Sequence, residues 1–400
     1  KNLINSKLGL GDFNVLVGPN NSGKSNLLEV VQLLFPLCFG DDEIRQNFLR
    51  GYIFRLGSSI SHLPKHSGKP LTIGINWESD FKGQLWRIDY EVKLQCSAEK
   101  EQGKIISELL QAKPYGKSGP YRNYIKREGK EFTVEWTSKN YKIAKDNSVF
   151  SAVKSIFPES KDLPGEFVRF YKNLLKLSTT STFAFSPSAL RKKLQNGEKA
   201  DISKIRVSSF DLCLVLDELK QKDKKSYALF KETVCDVLEV DNVGLMTENI
   251  KPPEGKGDAK RIRFLFLKRK WDKYSPVQEY SDGTLMTIAI LATFLSESPK
   301  ENPILLLEEL ENCLHPRAVE KLLRFLQDYS YKRQVLITTH SPYILNGVNP
   351  EDVNISIADE TGAIHFEKVK KSRKLTDYLN KSLMDFGDLL TEDFKGFREE

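Results

Sequence analysis

The chain has 400 residues, of which 40% are hydrophobic and 29% charged, and its formal net charge is +7. That composition belongs to a folded globular protein and excludes a disordered or collagen-like chain; no apolar run reaches the ~20 residues that a membrane span needs, so no membrane partner is expected. The positive charge permits a polyanionic partner such as DNA and does not by itself establish one. Cys38, Cys96, Cys213, Cys235 and Cys313 are scattered with no Cys-x-x-Cys pair, which fits reduced thiols in a cytoplasmic protein rather than disulfides or a zinc site. No signal peptide is evident, and the chain opens on Lys1 rather than methionine, as expected where the true start lies upstream.

Phe13 to Val17 is a continuous apolar run and reads as a buried strand. Gly18-Pro19-Asn20-Asn21-Ser22-Gly23-Lys24-Ser25 follows, with Gly18, Gly23, Lys24 and Ser25 at the spacing of a phosphate-binding loop, and the segment from Asn26 to Leu34 reads as the next helix. Strand, glycine turn and helix form the context in which backbone N–H groups and a helix N-terminus cradle phosphate. There the Lys24 ammonium reaches the outer phosphates and the Ser25 hydroxyl holds Mg²⁺. A glycine-rich turn with a chance lysine is the competing reading, and the flanking strand and helix weigh against it.

Residues 41–69 are mixed and rich in turn signals. Leu71 to Trp77 and Leu85 to Leu94 read as strands of a hairpin closed around Asp80-Phe81-Lys82-Gly83. In 96–150, the segments 130–136 and 141–143 read as short strands. Tyr115, Tyr121, Arg122, Tyr124, Lys126 and Arg127 place aromatics among basic groups, a mix that can hold nucleic acid, although an ordinary solvated loop is the favoured reading. Residues 151–245 read mainly as helices, at 166–177, 208–220 and 226–238. Ser186 to Lys193 starts another, with Pro187 just inside and Arg191, Lys192 and Lys193 either on phosphate or on a solvated face. A Pro/Gly/Lys linker at 251–260 precedes a strand at 261–268.

Three later segments carry chemistry. Ser281-Asp282-Gly283 stands before an apolar helix from Leu285 to Leu295, a weak anion-binding signal alone. Ile304-Leu305-Leu306-Leu307 is a buried strand that ends in Glu308 and Glu309, where ligands of α/β sheets sit. Side chains alternate along a strand, so the two acids point differently: Glu308 suits the Mg²⁺ shell and Glu309 suits polarising an attacking water. The strand from Gln334 to Thr339 ends in His340, placed to hydrogen-bond a γ-phosphate or the attacking water. His315 reads instead as a cap after Glu311-Asn312-Cys313-Leu314.

These segments occur in the order found in the ABC-type ATPases of the RecF/SMC/OLD group: the loop from Gly18 to Ser25, Ser281-Asp282-Gly283, the strand ending in Glu308-Glu309, and Thr339-His340-Ser341-Pro342. The chain resembles most the small AAA-type ATPases of that group in bacterial anti-phage defence, including those of the Septu and PARIS systems. The stretch Asn14 to Asn26, the stretch Glu311 to Pro316 and the tail ending in Phe386-Gly387-Asp388-Leu389-Leu390 carry this likeness. The resemblance implies an α/β P-loop NTPase of ABC ATPase type, with an antiparallel β part and a mainly helical inserted lobe. The nucleotide-binding domain would occupy 1–95 and 261–400, and the inserted lobe 96–260.

The resemblance further implies an ATP- and Mg²⁺-dependent homodimer or larger homo-oligomer assembled head to tail. Each ATP would lie between the loop Gly18, Pro19, Asn20, Asn21, Ser22, Gly23, Lys24, Ser25 and Asn26 of one subunit and Ser281, Asp282 and Gly283 of the other. Glu309 would match the catalytic glutamate, Glu308 the metal-shell acid and His340 the switch histidine. Gln95 is the better candidate for the family's metal-contacting glutamine, with Gln32 the other. Glu308 stands where Asp is usual and Leu310 where Pro is usual; slow, switch-like hydrolysis is expected. The residues after His340 are too few for the nuclease domain of OLD proteins, so a separate effector, an HNH or Toprim nuclease, is expected. The alternative is a RecF-like repair ATPase that clamps DNA when ATP binds; a catalytically silent subunit is disfavoured by Glu309 and His340.

Overall fold

Phe13–Val17 is buried at every position and forms β1, an inner strand of a parallel sheet. In this computed structural model the described residues are 3, 6–20, 22–47, 70–97, 102–116, 118–144, 147–178, 182–183, 212–250, 260–270, 274–276, 279–296, 304–312, 314–360, 362–369, 385–388 and 390. The chain divides into two compact units, one of 1–5, 26–179 and 360–363, the other of 6–25, 180–359 and 364–400. Among the described residues no helix is long and apolar enough to cross a membrane.

The first unit is an antiparallel sheet with helices. Helix α1 (Lys24–Leu34) runs on through a π-helical stretch, Phe35–Phe39, to α2 (Asp42–Asn47). Six strands then pair in sequence order: β2 (Leu71–Phe81), β3 (Gln84–Ser97), β4 (Gln102–Pro114), β5 (Arg122–Glu128), β6 (Glu131–Val134) and β7 (Asn140–Lys142). The β2–β3 turn places Lys82 (φ 54°) and Gly83 (φ 76°) in the left-handed region, the pair of conformations that matches strand twist in a two-residue hairpin. Helices α3 (Val149–Ile156) and α4 (Gly165–Ser178) contribute Phe150, Val153, Phe167 and Phe170 to a core with Trp86, Tyr90 and Tyr124. Within that unit Glu108 pairs with Arg127 at 3.0 Å, both fully buried. Glu108 also accepts from the Ser148 hydroxyl at 2.8 Å and from Val149 N at 2.9 Å, which ties β4 to the start of α3.

The second unit opens with β8 (Thr182–Phe183), α5 (Leu212–Lys222) and α6 (Lys224–Leu238). A small antiparallel sheet follows, of β9 (Asn242–Ile250), β10 (Lys260–Lys268) and β11 (Ser275–Pro276). Then come α7 (Asp282–Ser296), β12 (Ile304–Glu308), α8 (Pro316–Tyr329), β13 (Gln334–Thr339), α9 (Pro342–Asn346), β14 (Val353–Ala358), β15 (Ile364–Lys368) and α10 (Phe386–Asp388). The main sheet has the order β15-β14-β1-β13-β12-β8 and is parallel except for β15. Its inner strands are buried along their length, which is why they read as unbroken apolar runs. Helix α7 is buried almost all round, from Leu285 to Phe294, as a helix inside a core must be.

Several expectations need revision. Residues 242–245, placed in a mainly helical stretch, begin β9. The segment 122–128 is strand β5 rather than a solvated loop, and its Tyr124 and Arg127 are buried. The segment Ser186–Lys193 and residues 251–259 lie outside the described residues.

Candidate functional site

Parallel register brings three strand ends together. Val17 of β1 lies beside Thr339 of β13, and Thr338 lies beside Glu308 of β12. Ligands of parallel sheets bind at such carboxyl ends. Buried Asn14 anchors β1 from within: it accepts from Gly11 N at 2.8 Å and donates to Gly11 O at 2.9 Å and Val335 O at 3.1 Å.

Beyond β1 the chain turns at Gly18. A Cβ there would stand 2.8 Å from Ser22 Oγ and 2.9 Å from both Cβ and O of Ser356, so only glycine fits. The Ser356 hydroxyl donates to Ser22 O and ties the loop to β14. Ser22 N donates to Pro19 O at 3.2 Å, and Gly23 (φ 83°) turns the backbone into α1. Pro19 and Asn20 are exposed, Asn26 is half-buried, and Asn21 lies outside the described residues.

Lys24 is 7% exposed. Its ammonium folds back over the loop and donates to Gly18 O at 2.6 Å and Pro19 O at 2.9 Å. Burial holds its pKa below the ordinary lysine value, against the upward pull of Glu309, Glu311 and Glu308. The next residue, Ser25, donates its hydroxyl to Glu308 Oε1.

Glu309 directly follows β12 and has a left-handed backbone (φ 47°), uncommon for a non-glycine residue. Its N–H donates to Thr338 O at 3.0 Å, and its Oε2 accepts from Asn312 Nδ2 at 2.6 Å. Its Oε1 lies 3.9 Å from His340 Nδ1. Glu311 comes to the same place: its Oε1 is 3.5 Å from His340 Nδ1 and accepts from the Thr339 hydroxyl at 2.7 Å. Sequence reasoning passed over Glu311. The available signal was a third carboxylate two residues beyond Glu309, in a turn that has to fold back over the strand ends.

The other expected residues lie elsewhere. Ser281 and Asp282 are exposed at the start of α7, where Ser281 Oγ accepts from Thr284 N at 3.3 Å and caps the helix. Gln95 is an exposed residue of β3, opposite Lys104, and Gln32 lies within α1. His315 caps α8, with Nδ1 accepting from Arg317 N at 3.3 Å.

The residues present fit a nucleotide with its metal. The loop is too tight at Gly18 for any Cβ, a buried ammonium lies over it, and a serine hydroxyl faces a carboxylate at its end. Among the described residues no three His, Cys, Asp or Glu side chains form a metal cage. A serine–carboxylate pair suits Mg²⁺, which completes its shell with phosphate oxygens and water.

Loop, strand order and acidic strand end together define a P-loop ATPase. The chain belongs to the family described as "AAA domain, putative AbiEii toxin, Type IV TA system", whose model matches residues 13–101 and 118–346. Among curated proteins, none matches this sequence. Similar solved structures include the SMC head bound to the C-winged helix domain of ScpA, at 12% identity and TM-score 0.47, covering 92% of this chain and 94% of that one. The SMC head domain from Thermotoga maritima aligns at 10% identity and TM-score 0.37, covering 92% and 94% of the two chains. The Smc head domain with an extended coiled coil bound to the C-terminal domain of ScpA, derived from Pyrococcus furiosus, aligns at 12% identity and TM-score 0.39, covering 94% and 95%.

Proposed function

We propose that this ATPase is a slow, ATP-driven switch that assembles head to tail and controls a separate effector nuclease in anti-phage defence. The observation that carries the ATPase part is the meeting of Lys24, Ser25, Glu308, Glu309 and His340 around the ends of β1, β12 and β13. Lys24 would release the two loop carbonyls and turn its ammonium onto the outer phosphates. Ser25 and Glu308 would hold Mg²⁺, which when bound neutralises phosphate charge. Glu309 would orient and polarise the attacking water, and His340 would donate to the γ-phosphate. Gly18, Pro19, Asn20, Asn21, Ser22, Gly23 and Asn26 would complete the cradle.

Head-to-tail assembly is supported by the exposure of Ser281 and Asp282 at the start of α7, where the nucleotide of a second copy could reach them, although Gly283 beside them is buried. Slow turnover is inferred from Leu310 in place of Pro beside Glu309. A defence role is supported by the toxin–antitoxin system in the family description. The DNA-clamp alternative gains nothing from the basic strand β5: Lys126 pairs with Glu128 at 3.0 Å and Arg122 with Glu135 at 3.9 Å.

Purification in ATP from the native host, with neighbouring genes intact, followed by mass measurement of the complex, tests the proposal. A nuclease in fixed ratio is the expected result. A bare homodimer that forms with ATP and carries DNA would replace it with the clamp.

A further inference from the structure

Resting on the reading of this centre as an ATP-hydrolysing site, we propose that Glu311 is the positioning residue for His340. One carboxylate oxygen carries the argument. Glu311 Oε1 accepts from the Thr339 hydroxyl at 2.7 Å and from the His340 backbone N–H at 3.2 Å. Thr339 Oγ1 in turn accepts from Ser341 N at 2.9 Å, so three consecutive residues are tied to the turn that follows β12. The same turn carries Glu309, whose N–H is held by Thr338 O of β13 at 3.0 Å. Glu309 and His340 are therefore fixed against each other twice, once through Thr338 and once through Glu311.

The ring needs such a holder. His340 is 48% exposed at its side chain, so packing alone does not orient it. Its Nδ1 faces Glu311 Oε1 at 3.5 Å and Glu309 Oε1 at 3.9 Å, which leaves Nε2 as the ring nitrogen available to a phosphate oxygen. Glu311 is itself only 16% exposed, and its Oε2 is buried with no hydrogen-bond partner among the described residues. A buried carboxylate oxygen without a partner costs stability, and a role in packing gives no reason to keep it. A role in holding the histidine backbone does, because misplacing a catalytic group by about 1 Å can cost roughly 100-fold in rate.

The test compares wild type with Glu311→Ala and Glu311→Gln, reading kcat, KM and the affinity for a non-hydrolysable ATP analogue. Glutamine keeps an acceptor oxygen for Thr339 and His340; alanine does not. The expected result is a kcat roughly 100-fold lower in Glu311→Ala, analogue affinity unchanged, and most of the rate recovered in Glu311→Gln. Three results would overturn the inference: wild-type kcat in Glu311→Ala, equal loss in both variants, or loss of analogue binding along with rate. An inactive wild-type protein that also fails to bind the analogue would instead overturn the reading of the site on which the inference stands.

Discussion

Ser25 and Glu308 stand 283 residues apart in the chain and share a hydrogen bond from hydroxyl to carboxylate. The phosphate-loop helix and the end of β12 thus bring together two oxygen donors that would enter a Mg²⁺ shell completed by phosphate oxygens and water. Ser25→Ala should raise the Mg²⁺ concentration needed for half-maximal hydrolysis by roughly tenfold or more. Metal titrations of the ATPase rate would check this, and an unchanged requirement would remove Ser25 from the metal shell.

Lys24 should show a conflict between stability and function. Burial lowers its pKa, so the unfolded chain binds this proton more tightly than the folded one, and the charged form weakens the fold below the lowered pKa. Stability contributed by this group therefore rises with pH from the lowered value up to the ordinary lysine value. Lys24→Met should abolish ATP binding while leaving thermal stability near neutral pH equal or higher. Melting curves with and without ATP, followed across alkaline pH, would read both effects; a clear drop in the melting temperature of the nucleotide-free variant contradicts the account.

The Glu108–Arg127 pair should govern the first unit. Arg127→Met leaves Glu108 buried without its cation, and the expected loss is about 3–5 kcal/mol, measured by denaturant unfolding. Replacing both residues by apolar ones of similar size should recover much of that loss.

The tail residue Gly387 packs against α9, the helix that starts two residues beyond His340. A Cβ on Gly387 would stand 2.2 Å from Pro342 O, and Gly387 N donates to Asn346 Oδ1 at 2.6 Å. Gly387→Ala should therefore dislodge α10 and expose its peptide bonds. Limited proteolysis would show faster cleavage near 385–390 than in wild type.

How much was legible in the sequence follows from where each signal lies. The loop Gly18–Ser25 and strands β1, β12 and β13 carry their signals in consecutive residues, so pattern alone located them. Strand β4 escaped because Glu108, a charged residue, occupies a buried position, and its partner Arg127 does the same in β5; together they break the polar–apolar alternation that marks a strand. Strand β9 escaped for a different reason, since Val243, Leu245 and their neighbours follow a helix so closely that the change of period is short. Glu311 escaped because its contacts with Thr339 and His340 span 28 and 29 residues and depend on a turn that sequence alone does not specify.

The most direct measurement is single-turnover release of phosphate from ATP by wild type and by Glu309→Gln. The account predicts a slow wild-type rate, on the order of one per second or below. Glu309→Gln should bind ATP as tightly and release phosphate at least about 100-fold more slowly. Equal rates in the two proteins would contradict it, and would remove Glu309 from the chemistry.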